Sequence, residues 1–282
     1  MKRAPIPRAD RSDITVLDRR TAITRVGPAG RVTDHDSVAE EEPLEVRLNG
    51  ESFAVIMRTP GRDLDLAAGF LVAEGVVREP AHIATIRYCT ADEDPDLRNV
   101  LDVTLSGVDP RRVLDERRRV AMTASCGLCG RTTIESLDVL GRPVDPDWTV
   151  AASIISTLPE RLRAAQVGFD ATGGLHAAGL FDGAGTLEEL AEDVGRHNAV
   201  DKVIGRRFLR ERFPIPDRLL FVSGRASFEI VQKAWLAGLA CVCAVSAPST
   251  LAVDLALSAG ITLVGFVRGG SFNIYSHPER IT

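Results

Sequence analysis

A chain of 282 residues in which 45% are hydrophobic can bury a sizeable core, so we expect a folded globular protein rather than a disordered one. Its formal net charge of −5 argues against a surface built mainly to neutralise nucleic-acid phosphates, so we expect no nucleic-acid partner. No apolar run approaches the roughly 20 uncharged residues that span a bilayer, and five cysteines, an odd number, fit a reducing compartment, which together predict a cytoplasmic protein without a membrane span.

The first part of the chain divides into a tail and a small domain. Residues 1–40 mix arginines, prolines and acids with little periodicity, which predicts a flexible tail. Residues 41–120 are predicted to form an α+β domain. In it, PLEVRLNGESFAVIMRTPG predicts a β-hairpin that turns at Asn49-Gly50. Residues 63–77 have the pattern of a helix that begins behind an Asp cap and stops at Gly75, and IATIRYC and NVLDVTLSG predict two further strands.

Two cysteines, Cys126 and Cys129, stand in TASCGLCGR, inside a segment (121–150) that we expect to be a loop and linker between two halves of the chain. Glycine neighbours leave a thiol accessible, and the positive charge of Arg131 favours the reactive thiolate. We therefore interpret the pair as a site of nucleophilic sulfur chemistry. A zinc ion shared with distant histidines is the structural alternative.

Residues 151–282 carry the pattern of an α/β domain. STLPERLRAAQVGFDATGG predicts a capped helix that ends in glycines, and LHAAGLFD predicts a short strand. Three apolar strands then alternate with two helices and recur about every 20 residues. This spacing is typical of βαβ units and predicts a parallel sheet with helices on both faces.

Three short loops follow these strands: SGRAS (223–227), SAPST (246–250) and VRGGS (267–271). In an open α/β sheet, ligands bind beyond the carboxyl ends of the strands, where helix N-termini offer free N–H groups. Taken alone, Ser223 of SGRAS or Ser246 of SAPST would be interpreted as a helix cap. Three such loops, two of them with an arginine, favour an anionic ligand with phosphates, although no G-x-G-x-x-G or P-loop pattern is present.

The segment EDVGRHNAVDKVIG (192–205) is unusually polar for its place beside apolar strands. On a helix, His197 and Asp201 would share one face, and so would Asn198 and Lys202, because each pair is four residues apart. Two interpretations stay open here. The segment is either a solvated helix with ordinary ion pairs or part of a polar site.

The remaining cysteines read as core residues. Cys241 and Cys243 alternate on one face of the apolar stretch LACVCAV, and a buried cysteine behaves as a small hydrophobe. Cys89 reads in the same way. Because no second C-x-x-C exists, a four-cysteine zinc site is disfavoured and we expect no bound metal.

Six stretches, in the order SCGLCGR, TGGLHAA, EDVGRHNAVDKVIG, SGRASFEIVQKA, VSAPSTLAVDLA and GFVRGGSFNIY, resemble the family of formate dehydrogenase accessory sulfurtransferases, the FdhD sulfur carriers. The resemblance covers roughly residues 40–280. It implies a sulfurtransferase that accepts persulfide sulfur from a cysteine desulfurase and passes it to the molybdenum or tungsten bis-guanine-dinucleotide cofactor of formate dehydrogenase. It also implies a cytidine-deaminase-like α/β fold for the C-terminal domain, beside the smaller N-terminal α+β domain.

The resemblance also implies roles for particular residues. Cys126 would carry the persulfide, and Cys129 would be an assisting or resolving thiol. The run 266–271 matches the cofactor-binding stretch of the family, and GDP-like nucleotides would mimic the bound cofactor. Together with the loops and the polar segment, the predicted cofactor-binding residues are Ser223, Gly224, Arg225, Ser246, His197, Phe266, Val267, Arg268, Gly269, Gly270 and Ser271.

Two rival functions predict different residue patterns. Zinc deaminases need H-x-E before P-C-x-x-C, but here His176 is followed by two alanines and the C-x-x-C comes earlier, so deamination is disfavoured. The second rival is a non-catalytic cofactor-binding chaperone whose cysteine pair is structural or holds zinc. Because the cofactor has two guanine arms, we also expect a two-fold homodimer, with a monomer as the alternative.

Overall fold

The computed structural model describes residues 18–89, 99–110, 143–145 and 147–282. Cys126 and Cys129, with most of the predicted linker, lie outside these described residues. The strands are β1 (Asp18–Gly27), β2 (Gly30–Ala39), β3 (Glu42–Leu48), β4 (Glu51–Arg58), β5 (Ile83–Tyr88), β6 (Val100–Leu105), β7 (His176–Phe181), β8 (Leu187–Asp193), β9 (Leu219–Val222), β10 (Cys241–Ala244), β11 (Thr262–Arg268) and β12 (Ser271–Ser276). The α-helices are α1 (Asp63–Ala73), α2 (Ala152–Ala164), α3 (Val167–Thr172), α4 (Arg196–Leu209), α5 (Phe228–Leu236) and α6 (Thr250–Ala259), and short 3₁₀ helices occur at Pro80–His82 and Pro278–Arg280.

The C-terminal half builds a six-stranded sheet in the order β12-β11-β10-β9-β7-β8. Its centre, β9, β10 and β11, is parallel, and α5 and α6 connect these strands. The predicted strand–helix–strand–helix–strand pattern is therefore confirmed. Antiparallel strands β8 and β12 form the two edges, and neither was predicted from the sequence.

The N-terminal half builds a four-stranded sheet in the order β4-β3-β6-β5. The predicted hairpin is confirmed, since β3 and β4 pair antiparallel around a turn in which Asn49 and Gly50 have φ of 51° and 86°. Positive φ at both central positions is the geometry that makes Asn-Gly the favoured hairpin turn. The two further predicted strands are β5 and β6, which also pair antiparallel.

Helix α1 begins where it was predicted, but the predicted cap is wrong. Asp63 makes no capping hydrogen bond, and the N-cap position is occupied by Arg62 with φ of 55°. The Asp63 carboxylate instead accepts from the buried Arg58 guanidinium, with 2.8 Å between Nη2 and Oδ2, and from the Tyr88 hydroxyl at 3.0 Å. A buried arginine needs a carboxylate close by, and this need outweighs helix capping.

Two other predictions are corrected in detail. The single helix predicted over 156–174 is two helices, α2 and α3, and the second ends at Gly173 with φ of 66°. The described part of the predicted flexible tail is also structured, because β1 and β2 pair along their full length as an antiparallel ribbon with mostly exposed side chains. The low apolar content of residues 1–40 suggested a tail, but two strands can pair through their backbone hydrogen bonds without apolar side chains.

One continuous core joins the two sheets. Buried side chains of β3 and α1, such as Leu44 and Leu66, belong to the same cluster as Val200 of α4 and Leu220 of β9. The opposite face of the six-stranded sheet packs on α2 through residues such as Leu158. The larger sheet is thus covered on both faces, as predicted.

The cysteine pair of β10 lies within this second face. Cys241 and Cys243 are buried with their sulfurs 3.8 Å apart, which confirms them as core residues. The contact with Cys241 and burial both raise the pKa of the Cys243 thiol, so it is not a ready nucleophile. Cys89 differs from the prediction, since it is only half-buried.

The mixed α/β class predicted from the sequence is confirmed. The domain boundaries predicted at residues 120 and 150 fall in or beside residues outside the described ranges, and they stay predictions. Among the described helices, none combines the length and the apolar character needed to cross a membrane.

Candidate functional site

The three predicted loops meet at one edge of the six-stranded sheet. Ala226 and Pro248 form an isolated bridge, and Ser249 N donates to Ala226 O at 3.1 Å, which joins SGRAS to SAPST. Phe266 N donates to Ser246 O at 3.2 Å, which joins SAPST to the end of β11. The convergence of the three loops, predicted from the strand order, is therefore present in the structure.

The third loop differs from the other two in form. VRGGS does not lead into a helix but makes a tight turn between β11 and β12, with φ of 57° at Gly269 and 77° at Gly270. Phe266 also has a positive φ, 56°, beside a register shift in β11. The exposed Arg268 guanidinium lies 5.6 Å from the centroid of the Phe266 ring, so this corner presents a cation on an aromatic platform.

The serines of the first two loops have different roles from the helix caps considered above. Ser223 Oγ accepts from Ala177 N at 2.9 Å and so extends the pairing of β7 with β9. The residue that caps α6 is Ser249, whose side chain accepts from Ala252 N. Ser246 offers its carbonyl to Phe266 and is half-buried.

A second group of polar residues lies beside SGRAS. A Cβ atom built on Gly224 would lie 3.5 Å from His176 Nδ1 and 3.7 Å from Arg196 Cδ, so both side chains flank this glycine. His197 Nε2 lies 3.2 Å from Ser227 Oγ and 3.8 Å from Glu229 Oε2. The start of β7, the start of α4 and the SGRAS loop thus bring their side chains to one place.

Both histidines in this group are neutral at pH 7. Burial, followed by the charge of Arg196, lowers the pKa of His176. Burial, followed by the charges of Lys233 and Arg196, lowers the pKa of His197 to about 4. Each neutral ring has one donor and one acceptor nitrogen, and in His197 Nε2 already lies within hydrogen-bond distance of Ser227 Oγ.

The polar segment 192–205 is mostly structural. Asp193 is completely buried, and its carboxylate accepts from Lys202 Nζ at 2.7 Å and from Asn198 Nδ2 at 2.9 Å. Thr59, next to β4, donates its N–H to Asp193 and accepts from Lys202 Nζ at 2.8 Å. The interpretation as a solvated helix is wrong, because this network is buried and joins the two halves of the molecule.

The other face of α4 carries a second buried pair. Lys233 Nζ lies 2.7 Å from both carboxylate oxygens of Asp201. Burial raises the pKa of Asp201 to about 6, against the lowering effect of Lys233. His197 therefore lies between this structural network and the three loops.

Sequence reasoning missed His176 and Arg196 as site residues. In the sequence, His176 stands out only in the comparison with zinc deaminases, and Arg196 stands out only as part of the polar segment 192–205. Their position could have identified them, because His176 is the first residue of β7 and Arg196 is the first residue of α4, and both elements border SGRAS. Among the described residues, no group of His, Cys, Asp and Glu is arranged to hold a metal ion.

Comparisons with known proteins agree with one another. A family model described as the FdhD/NarQ family matches residues 39–282. Proteins named "Sulfur carrier protein FdhD" are similar over almost the whole chain. That of Nocardia farcinica is 48% identical, with 93% of this chain and 94% of the relative covered. That of Anaeromyxobacter dehalogenans is 45% identical, with 100% and 97% covered.

A solved structure is similar to the whole fold. It is a crystal structure from Desulfotalea psychrophila, assigned provisionally as a formate dehydrogenase accessory protein, with a TM-score of 0.75 and 25% sequence identity. The match covers 94% of this chain and 100% of that one.

Proposed function

The chain belongs to the FdhD/NarQ family, and we therefore propose that it is a sulfur carrier that serves the maturation of formate dehydrogenase. The observation that carries this proposal is the similarity to named sulfur carriers over more than nine-tenths of both chains. Similarity of this extent includes the C-x-x-C stretch and the three loops together, so it favours a shared function rather than a shared fold alone.

We propose that Cys126 is the residue that carries the sulfur. Its thiolate would attack the terminal sulfur of a persulfide on a cysteine desulfurase, the S–S bond of that persulfide would break, and the desulfurase thiolate would leave. The terminal sulfur of the new Cys126 persulfide would then pass to the metal of the cargo as a neutral atom. The metal would give two electrons to this sulfur, which would become a sulfide ligand. The Cys126 thiolate is regenerated, and Cys129 assists as a neighbouring thiol.

The cargo we propose is the molybdenum or tungsten bis-guanine-dinucleotide cofactor, held through its guanine dinucleotide at the three loops. The residues fit an anion, because SGRAS and SAPST lead directly into the N-termini of α5 and α6. The exposed side chains of Arg225 and Arg268 add positive charge at the same edge.

We also propose that two chains bind one cargo molecule. The cargo has two guanine dinucleotide arms, whereas one chain brings the three loops together only once. A two-fold homodimer with one guanine site in each subunit matches that symmetry, and two-fold dimers are the commonest soluble assembly.

Persulfide labelling tests the sulfur-carrier function. The protein is incubated with a cysteine desulfurase and cysteine, and labile sulfur on it is measured by mass spectrometry, with Cys126→Ala as the matched variant. We expect one additional sulfur atom on Cys126 of the wild type. A cysteine pair that holds zinc would bind one metal ion per chain and accumulate no labile sulfur, and that result would favour the non-catalytic chaperone.

A further inference from the structure

Arg196 has a buried donor that no described residue satisfies. Its Nε atom is enclosed by the protein, yet it has no hydrogen-bond partner among the described residues. Arg206 and Arg207 are different, since the carboxylate of Glu189 lies 2.9 Å from Nε of the first and 3.9 Å from Nε of the second. No carboxylate in the described ranges takes this position for Arg196. Because buried donors are nearly always paired, this exception calls for an acceptor.

The side chains of Arg196 and His176 lie side by side against a glycine. The side chains of Arg196 and His176 both approach Gly224 from outside the loop, at 3.7 Å and 3.5 Å from where a Cβ atom would be. Gly224 does not have a positive φ, so its backbone conformation is open to other residues. A Cβ atom here would only make ordinary van der Waals contact with both side chains, so the Arg196 side chain and the His176 ring are brought close together beside the SGRAS loop.

The charges around this space suit an anion. Arg196 and Lys233 lower the pKa of His197, and Arg196 lowers the pKa of His176, so positive potential reaches both rings. Glu229 is the carboxylate that faces the group: it lies 3.8 Å from His197 Nε2, and the charge of Arg196 is among the causes that lower its pKa. A neutral imidazole and a guanidinium can both donate hydrogen bonds to phosphate oxygens.

We infer that Arg196, with its unpaired Nε, and His176 beside it form the subsite for the diphosphate of a bound nucleotide. This inference rests on the proposed function, because SGRAS is one of the three loops proposed to hold the guanine dinucleotide. It adds two residues from outside those loops and assigns them the diphosphate rather than the base. The ligand class that follows is a nucleoside diphosphate or a dinucleotide, not a nucleoside.

Calorimetry with GDP and guanosine tests the subsite on the full chain. We expect Arg196→Gln to weaken GDP binding roughly tenfold or more, the loss of one charge-assisted phosphate contact, while the affinity for guanosine is unchanged. Arg212→Gln is the control, since Arg212 is exposed after the C-terminal end of α4.

The outcomes separate this inference from the function it rests on. If the wild type binds GDP and Arg196→Gln binds it equally well, the subsite is wrong and the nucleotide site stands. An equal loss for GDP and guanosine would also overturn it, because the arginine would then act on the base or the fold. If the wild type does not bind GDP at all, both the nucleotide site and the subsite are overturned.

A second measurement needs no arginine variant. The histidine ring protons are followed by NMR against pH with and without GDP, and His176→Gln assigns the resonance. The groups that face the two rings are Arg196, Lys233 and Glu229, together with the rings themselves. A bound diphosphate offsets the positive charge of Arg196, so we expect the pKa of His176 to rise when GDP binds. An unchanged pKa at saturating GDP would overturn the subsite.

Discussion

Gly69 of α1 faces Asp201 of α4 at a crossing so close that a Cβ atom on the glycine would lie 1.9 Å from the Asp201 carbonyl oxygen. The contact is reciprocal, because a Cβ atom on Gly205 of α4 would lie 1.8 Å from the Asp65 carbonyl oxygen of α1. The helix of the N-terminal half and the polar helix of the C-terminal half therefore touch through their backbones. The candidate site depends on this contact, since α4 begins at Arg196.

We predict that Gly69→Ala destabilises the protein. The added methyl group meets backbone atoms, which cannot rotate away, so the two helices must separate, and overpacking of this kind costs about 1–3 kcal/mol. An ordinary helical glycine would instead gain about 1 kcal/mol from this change. Urea unfolding measures the difference. Gly183→Ala is the control, because nothing lies within 4 Å of its Cβ position, and a loss of stability shared by both variants would contradict the packing argument.

The elements that could be predicted from the sequence are those with strong local signals. Apolar runs predicted β9, β10 and β11, and the Asn49-Gly50 pair predicted the turn of the hairpin. Strand β8 was not predicted because three of its seven residues are glutamates and a fourth is Asp193. Such an acidic pattern is typical of a solvent-exposed segment. Glu188, Glu189 and Asp193 pair with arginines and a lysine from α4 and the segment before β9, whereas Glu192 accepts from backbone N–H groups of α3. None of these partners is visible in the strand itself.

We predict that His197 makes stability depend on pH. Its pKa is lowered to about 4 in the folded protein, so the unfolded chain binds more protons between about pH 4 and 6.5. The contribution is fully present above pH 6.5 and is lost as the pH falls toward 4. Because 34% of the side chain is exposed, solvent screening reduces its size, and we expect about 1–2 kcal/mol.

Unfolding free energies of the wild type and His197→Gln across this range measure the effect. The raised pKa of Asp201 acts in the opposite sense over much of the same window, so the difference between the two proteins is informative and the wild-type curve alone is not. We expect the variant to lose less stability on acidification. Parallel curves would show that His197 does not titrate as the structure indicates.

We predict that Arg268→Ala weakens GDP binding. Its guanidinium is exposed beside Phe266 at the corner of the three loops, and a charge-assisted hydrogen bond to phosphate is worth about 1.5–3 kcal/mol. Calorimetry measures the change in affinity. Arg87→Ala, an exposed arginine on β5 of the other sheet, should bind GDP like the wild type. Equal affinity for all three proteins would move the nucleotide site away from this corner.

The loop part of the site could be predicted because strand order alone brings SGRAS, SAPST and VRGGS to one edge. The positions of His176 and Arg196 could not. Their approach to Gly224 depends on the antiparallel pairing of β7 beside β9, which the Ser223 hydroxyl extends by binding Ala177 N. No spacing along the chain encodes that partnership, since the two strands are separated by β8 and α4.

We predict that Cys126→Ala abolishes the maturation of formate dehydrogenase, because the proposed persulfide has no other attachment point. The unfolding midpoint should stay that of the wild type. Co-expression with a formate dehydrogenase, followed by an assay of its activity, measures the effect. Cys89→Ala, at a half-buried position after β5, should support normal activity. Cys129→Ala is expected to be equally severe or milder, and normal activity of Cys126→Ala would exclude Cys126 as the carrier.

The last prediction concerns assembly. The three loops of one chain form a single edge, so we propose one guanine site per chain, whereas the proposed cargo carries two guanine dinucleotide arms. We expect light scattering to give about twice the chain mass of 30.4 kDa and calorimetry to give one GDP per chain. The cargo itself should bind at one molecule per two chains, because each arm occupies one subunit. A protein that keeps the mass of a single chain at micromolar concentration with the cargo bound would contradict the dimer, and one chain would then have to hold both arms. In that case a second set of phosphate-binding residues would be needed outside the three loops, and the GDP stoichiometry of two per chain would reveal it.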